Sequence, residues 1–181
     1  MGNSFAHFKR IALIAALTFI AYSNSFNSMF HFDDYDSIIA NPYIKSIYNI
    51  PYFFYYDGSP LTGRPVTMAT FAVNFAIGGL DPFSYHVMNF FIHLANAIMV
   101  YLILVLTLKN RVNGYVNISL FASLMFAVHP IQTQAVTYIV QRAEILSTFF
   151  YLLSLVMFIK ARLIEQNKEG IEQRAKGEEQ K

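Results

Sequence analysis

The 181-residue chain contains no cysteine and no tryptophan, and only 13% of its residues are charged, against a usual share of about 25%. Without cysteine there is no disulfide framework and no thiolate metal or redox site, although this says nothing about compartment. The shortage of charge excludes an ordinary soluble domain, because 55% of the residues are hydrophobic and mean hydropathy is +0.39. No basic cluster stands apart from acidic neighbours, so nucleic acid is not an expected partner. No 20- to 50-residue repeat marks a solenoid. No inverted repeat marks a transporter either.

What is present lies between the charges. Uncharged runs extend over 11–32, 82–108 and 112–141, with shorter ones over 65–80 and 145–159. A membrane helix needs about 20 mostly apolar residues, so several of these runs can hold one. The basic residues fix the expected topology. Lys9, Arg10, Lys109, Arg111, Lys160, Arg162, Lys168, Arg174, Lys176 and Lys181 fall on one side if the number of spans is even, leaving Lys45, Arg64 and Arg142 on the other. The positive-inside rule makes the first side cytoplasmic. The expected fold is therefore an all-α membrane protein with four transmembrane helices over 8–26, 83–108, 112–128 and 138–159 and both termini inside. The long outer loop 27–82 carries short interfacial helices, among them the apolar stretch Val66 to Ile77, and the membrane domain 1–159 is followed by a charged cytoplasmic tail, 160–181. The first segment also fits a signal peptide ending near Ala21-Tyr22-Ser23.

Two polar constellations interrupt this apolar pattern. His31-Phe32-Asp33-Asp34-Tyr35-Asp36 places three carboxylates just beyond the first span. They are either caps for a short helix ending at Asn41-Pro42 or a base at the membrane surface, since adjacent carboxylates repel and one is then poised to take a proton. On the second span His86, Asn89, His93 and Asn96 share an arc of roughly 80° on its outer half. Such a stripe faces protein or a water-filled cavity, where it either joins helices or serves a site. His86 and His93 are too far apart in sequence to make a metal site alone. Arg64 and Arg142, the latter followed by Glu144, are the two guanidinium groups of the outer face, either anchoring or gripping a phosphate with their planar forks. His129-Pro130 ends the third span.

These residues, with Asn41-Pro42, Arg64-Pro65, Asn74, Tyr85-His86, Phe126-Ala127-Val128-His129-Pro130-Ile131 and Arg142-Ala143-Glu144-Ile145-Leu146, resemble a known family. The resemblance is to the N-terminal membrane region of transmembrane and tetratricopeptide-repeat (TMTC-type) O-mannosyltransferases and their bacterial relatives, of the GT-C glycosyltransferase superfamily, and it runs from about Phe32 to Leu155. It implies a partial GT-C-like bundle and a sugar donor linked to polyprenyl phosphate, with divalent metal undetermined. Asp33 and Asp34 would be catalytic, while Arg64, His86, His129 and Arg142 would face the donor phosphate or sugar and Asn89, His93, Asn96 and Glu144 would support them. The implied partners are membrane lipid, a protein or glycan acceptor, and a second membrane chain or a C-terminal half bearing tetratricopeptide repeats, in a bacterial inner membrane. Gln132 and Gln134 depart from the family pattern, which weakens any acid there. The chain holds far fewer helices than the family's membrane domain, so the expected activity needs the remaining helices or a partner chain. The alternative is an inactive truncated membrane protein or a scaffold subunit.

Overall fold

The computed structural model describes residues 2–55, 64–109 and 111–179, and every regular element among them is helical. The helices are α1 (Gly2–Tyr22), α2 (Ile50–Tyr55), α3 (Pro65–Gly78), α4 (Pro82–Leu108), α5 (Tyr115–Ala127), α6 (Gln132–Thr137) and α7 (Arg142–Glu179). Short 3-10 turns extend α1 to Asn27 and join the smaller elements, and a single π turn covers Tyr35–Ile39.

α4 is the axis of the molecule. The Asp81 side chain accepts from the Phe83 amide, Pro82 occupies the first turn where no amide partner is needed, and no charge follows for 27 residues. That length gives about 40 Å of helix. The corner from α3 into α4 needs glycine twice. A Cβ on Gly78 would sit 3.0 Å from Ser84 Oγ, and Gly79 turns the chain at φ 59°.

α1 and α5 both run antiparallel to α4. His7 Nδ1 lies 2.6 Å from the Tyr101 hydroxyl, Ile14 packs with Ala97, and Tyr22 packs with Phe90, so α1 climbs as α4 descends. Ser123 Oγ donates to the Ala97 carbonyl and His93 meets Ala127, which orients α5 the same way as α1. α7 runs parallel to α4, since Arg142 meets Tyr85 and Ile145 meets Asn96. The chain between α4 and α7 therefore returns from one end of the bundle to the other.

Three helical stretches are long and apolar enough to cross a membrane: Phe5–Asn27, Pro82–Leu108 and Ile139–Ile171. These agree with three of the expected spans. The expected third, 112–128, is here the 13-residue α5, about 20 Å long, bounded by the left-handed Gly114 and the His129-Pro130 break. α5 alone is shorter than the roughly 30 Å of a hydrocarbon core. The charged tail is helical: α7 continues without a break through Glu179, because Lys, Glu, Gln and Arg are good helix formers.

Residues 28–55 and 64–81 build a cap over one end of the bundle. Its core joins Phe30, Ile38, Ile44, Phe53, Met68 and Phe71 to Tyr85 of α4 and Ile139 at the head of α7. The opposite end carries Lys9, Arg10, Lys109 and Arg111, with Arg10 donating to Asn117 at 3.4 Å.

Candidate active site

The helix breaks organise the polar residues. In an unbroken helix the Val140 amide would bond the Val136 carbonyl. Here both are released, and each is recaptured from elsewhere: Val140 N–H donates to Asp34 Oδ1 at 2.8 Å, and Asn89 Nδ2 donates to the carbonyls of Val136 and Ile139 at 3.3 and 3.4 Å. The break at Pro130 works alike. The Ile131 amide turns to His129 Nδ1, leaving the Ala127 carbonyl to accept from His93 Nε2 at 2.9 Å. His86 Nε2 donates to the Ser28 carbonyl at 3.1 Å, and Asn96 Nδ2 to that of Ile145 at 2.9 Å. Thus all four members of the α4 stripe bond backbone of other segments, and all four are buried. Because carbonyls only accept, both His residues carry their proton on Nε2. The buried Nδ1 atoms of His86 and His93 and Oδ1 of Asn96 have no hydrogen-bond partner among the described residues.

Arg142 is the centre of this network and is 0% exposed. Its Nε donates to Asn89 Oδ1 at 2.7 Å, one terminal nitrogen to Asn74 Oδ1 at 2.6 Å and Thr70 Oγ1 at 3.2 Å, and the other to the Tyr85 carbonyl at 3.0 Å. The guanidinium also lies 4.6 Å over the Phe71 ring and 5.7 Å from that of Tyr85. No carboxylate of the described residues forms an ion pair with it; the charge is solvated by neutral dipoles and ring faces. Among the described residues, Arg142 faces inward.

The two adjacent aspartates have opposite environments. Asp34 is buried, and besides Val140 it accepts from the His31 amide at 2.9 Å through Oδ2. Burial pushes its carboxyl above the ordinary range, opposed by those two backbone bonds. Asp33 is exposed. It is turned outward by Phe32, whose φ of 43° is in the left-handed region that a bulky residue seldom enters. The Tyr138 hydroxyl accepts from the Asp33 amide at 2.9 Å. Partial burial, then the two neighbouring carboxylates, raise the Tyr138 phenol above its usual value.

Arg64 and Glu144 come together elsewhere on the same end. They line an open groove of about 610 Å³ between α3 and the first turns of α7, with Thr67, Leu146, Ser147 and Phe150. His129 is exposed at its turn and is not among the groove's lining residues. Among the described residues, no three His, Asp or Glu side chains gather as a metal site. Sequence reasoning did not single out Tyr138, Thr70 as a ligand of Arg142, or the Tyr85 carbonyl. Nothing in the sequence pairs Tyr138 with position 33.

The sequence comparisons bear on this arrangement. The chain is similar to human protein O-mannosyl-transferase TMTC3, 34% identical over 163 residues, which covers 85% of this chain and 17% of that protein. It is similar to human protein O-mannosyl-transferase TMTC4, 32% identical over 176 residues, covering 87% and 24%. A third relative is protein O-mannosyl-transferase F38B6.6 of Caenorhabditis elegans, 33% identical over 165 residues, covering 86% and 24%. No family model and no solved structure matches the chain. By sequence and by its apolar helices, the chain is an integral membrane protein that corresponds to the N-terminal region of TMTC-type O-mannosyl-transferases. It spans about a fifth of the length of those relatives.

Proposed function

We propose that the chain is the acceptor-activating part of a GT-C-type glycosyltransferase. It transfers a sugar from a polyprenyl-phosphate donor to a hydroxyl acceptor on the outer face of the membrane, together with further helices of the same or a partner chain. The observation that carries this reading is the exposed Asp33 carboxylate, fastened by Asp34 and Tyr138 to the head of α7. The acceptor oxygen bonds to the sugar's anomeric carbon while the bond from that carbon to the phosphate oxygen breaks. Asp33 takes the hydroxyl proton, and polyprenyl phosphate leaves with the electron pair. Arg64 offers the leaving phosphate a charge at the groove, where an anionic lipid head lies at the interface and its chain in the bilayer.

In this reading the buried polar residues hold the scaffold. His86, Asn89, His93, Asn96 and Arg142 keep the broken helices in register, and Asp34 pins the catalytic loop. The polypeptide crosses four times, because the return between the parallel α4 and α7 is made by α5 and α6 in series. Both basic ends are then cytoplasmic, as the positive-inside rule prefers, in a bacterial inner membrane.

The test is capture of the tagged chain from its native membrane, with mass spectrometry of partners and lipid. A multi-helix partner or the longer chain itself, together with a polyprenyl-phosphate sugar that is lost from Arg64→Gln, is the expected result. Recovery of wild type without lipid or partner contradicts the proposal and returns the chain to the scaffold class.

A further inference from the structure

We propose that the aromatic face of residues 43–55 is seated in the outer headgroup boundary, so that its binding partner is the lipid surface itself. The segment reads Tyr-Ile-Lys-Ser-Ile-Tyr-Asn-Ile-Pro-Tyr-Phe-Phe-Tyr: six aromatics in thirteen positions and Lys45 as the one charge. One face is consumed by the cap core, through Ile44 and Phe53, which pack in the cluster containing Met68, Phe71 and Tyr85. Tyr43 and Tyr52 stack on each other, ring centres 5.2 Å apart. The other face is also apolar and aromatic, yet open. Tyr48 is 88% exposed, Tyr55 87% and Phe54 54%, with Ile47 beside them.

Left in water, such a face forgoes the free energy that burying its rings and aliphatic side chains would return. A surface loop of a soluble cap would carry polar residues there. The depth of the face is set by the core beneath it. α4 is about 40 Å long and the hydrocarbon layer about 30 Å, so the first turn of α4, which holds Tyr85, lies among the headgroups. The segment packs in the same cluster as Tyr85 and so lies at the same level. Its composition suits that level. Tyrosine outnumbers phenylalanine, and tyrosine rings rest at the boundary with the hydroxyl toward water. α3, against which the segment packs, also leaves Val66, Val73 and Ile77 open. This inference does not depend on transferase activity.

The absence of tryptophan gives a clean probe. Tyr48→Trp and Tyr55→Trp are made singly in the full chain, with Gln173→Trp on the exposed part of α7 beyond its apolar stretch as the comparison, and reconstituted into phosphatidylcholine vesicles. The expected result is blue-shifted emission from both cap probes. Lipids brominated near the top of the acyl chain should quench it about two-fold, since an interfacial face lies about 5–10 Å deep. The Gln173→Trp signal should respond to iodide instead. Red-shifted, iodide-quenched emission from both cap probes would overturn the proposal. So would blue-shifted emission indifferent to both quenchers, which would mean that protein covers the face.

Discussion

Two faces of the first turn of α7 put neighbouring charges to different uses. Arg142 turns inward, is sealed, and spends its donors on Asn74, Thr70, Asn89 and the Tyr85 carbonyl. Glu144 turns outward and faces a groove with the exposed Arg64. The same split recurs at Asp33 and Asp34, one exposed and one bonded to two backbone amides. A buried charge whose hydrogen bonds all go to the protein's own dipoles serves architecture. An exposed charge held by such an architecture is left for a ligand.

The comparison breaks most severely at Arg142. Arg142→Gln removes a cation from four acceptors and two ring faces, and we expect a loss of about 3 kcal/mol or more, seen as a large fall in the thermal midpoint in detergent. Arg142→Lys should not restore it, because an ammonium cannot span acceptors on α3 and α4 in one plane. An unchanged midpoint in either variant would mean that the hub is decorative.

Asp34→Ala should cost about 2 kcal/mol, since the amides of Val140 and His31 both lose their acceptor, while Asp34→Asn keeps one and should cost about half as much. The pH dependence has a definite sign. The folded-state carboxyl is raised, so the unfolded chain ionises first as the pH rises. The advantage of wild type over Asp34→Asn is therefore greatest below the ordinary carboxylate range and shrinks as the pH rises through the raised value. A widening advantage would reverse the assignment of burial as the main influence.

The smallest effect is expected at Tyr138. Tyr138→Phe removes the hydroxyl that accepts from the Asp33 amide, about 1 kcal/mol, which sharpens the distinction between holding a carboxylate and being one. Its thermal midpoint should fall only slightly, whereas the rate at which a carbodiimide labels the Asp33 carboxyl should change. Labelling identical to wild type would show that Tyr138 does not position Asp33.

Much of the frame was legible without coordinates. Asp81-Pro82 followed by an unbroken apolar run defines α4 almost to the residue, and the 3-4-3 spacing of His86, Asn89, His93 and Asn96 marks an inward stripe. What that stripe touches was not legible, because its partners are carbonyls released by helix breaks, and backbone carries no signature in side-chain pattern. Arg142 resembled a surface anchor for a related reason: its ligands Thr70 and Asn74 lie some seventy residues upstream on a helix whose docking the sequence does not report. Asp33 and Asp34 are adjacent and chemically identical, so only the turn at Phe32 separates their roles. The continuation of α7 past Ile159 follows from the helix propensity of its Lys, Glu, Gln and Arg residues, which the composition of the tail already displays.

The most direct test of this division is turnover of Asp33→Asn and Asp34→Asn side by side, in membranes containing the complete enzyme, with mannose transfer from a polyprenyl-phosphate donor as readout and the folded fraction measured in the same samples. The account predicts a fall of about 10²-fold or more for Asp33→Asn at an unchanged thermal midpoint, and for Asp34→Asn a lowered midpoint with activity that follows the folded fraction. Full activity in Asp33→Asn, or loss of activity in a fully folded Asp34→Asn, would contradict it.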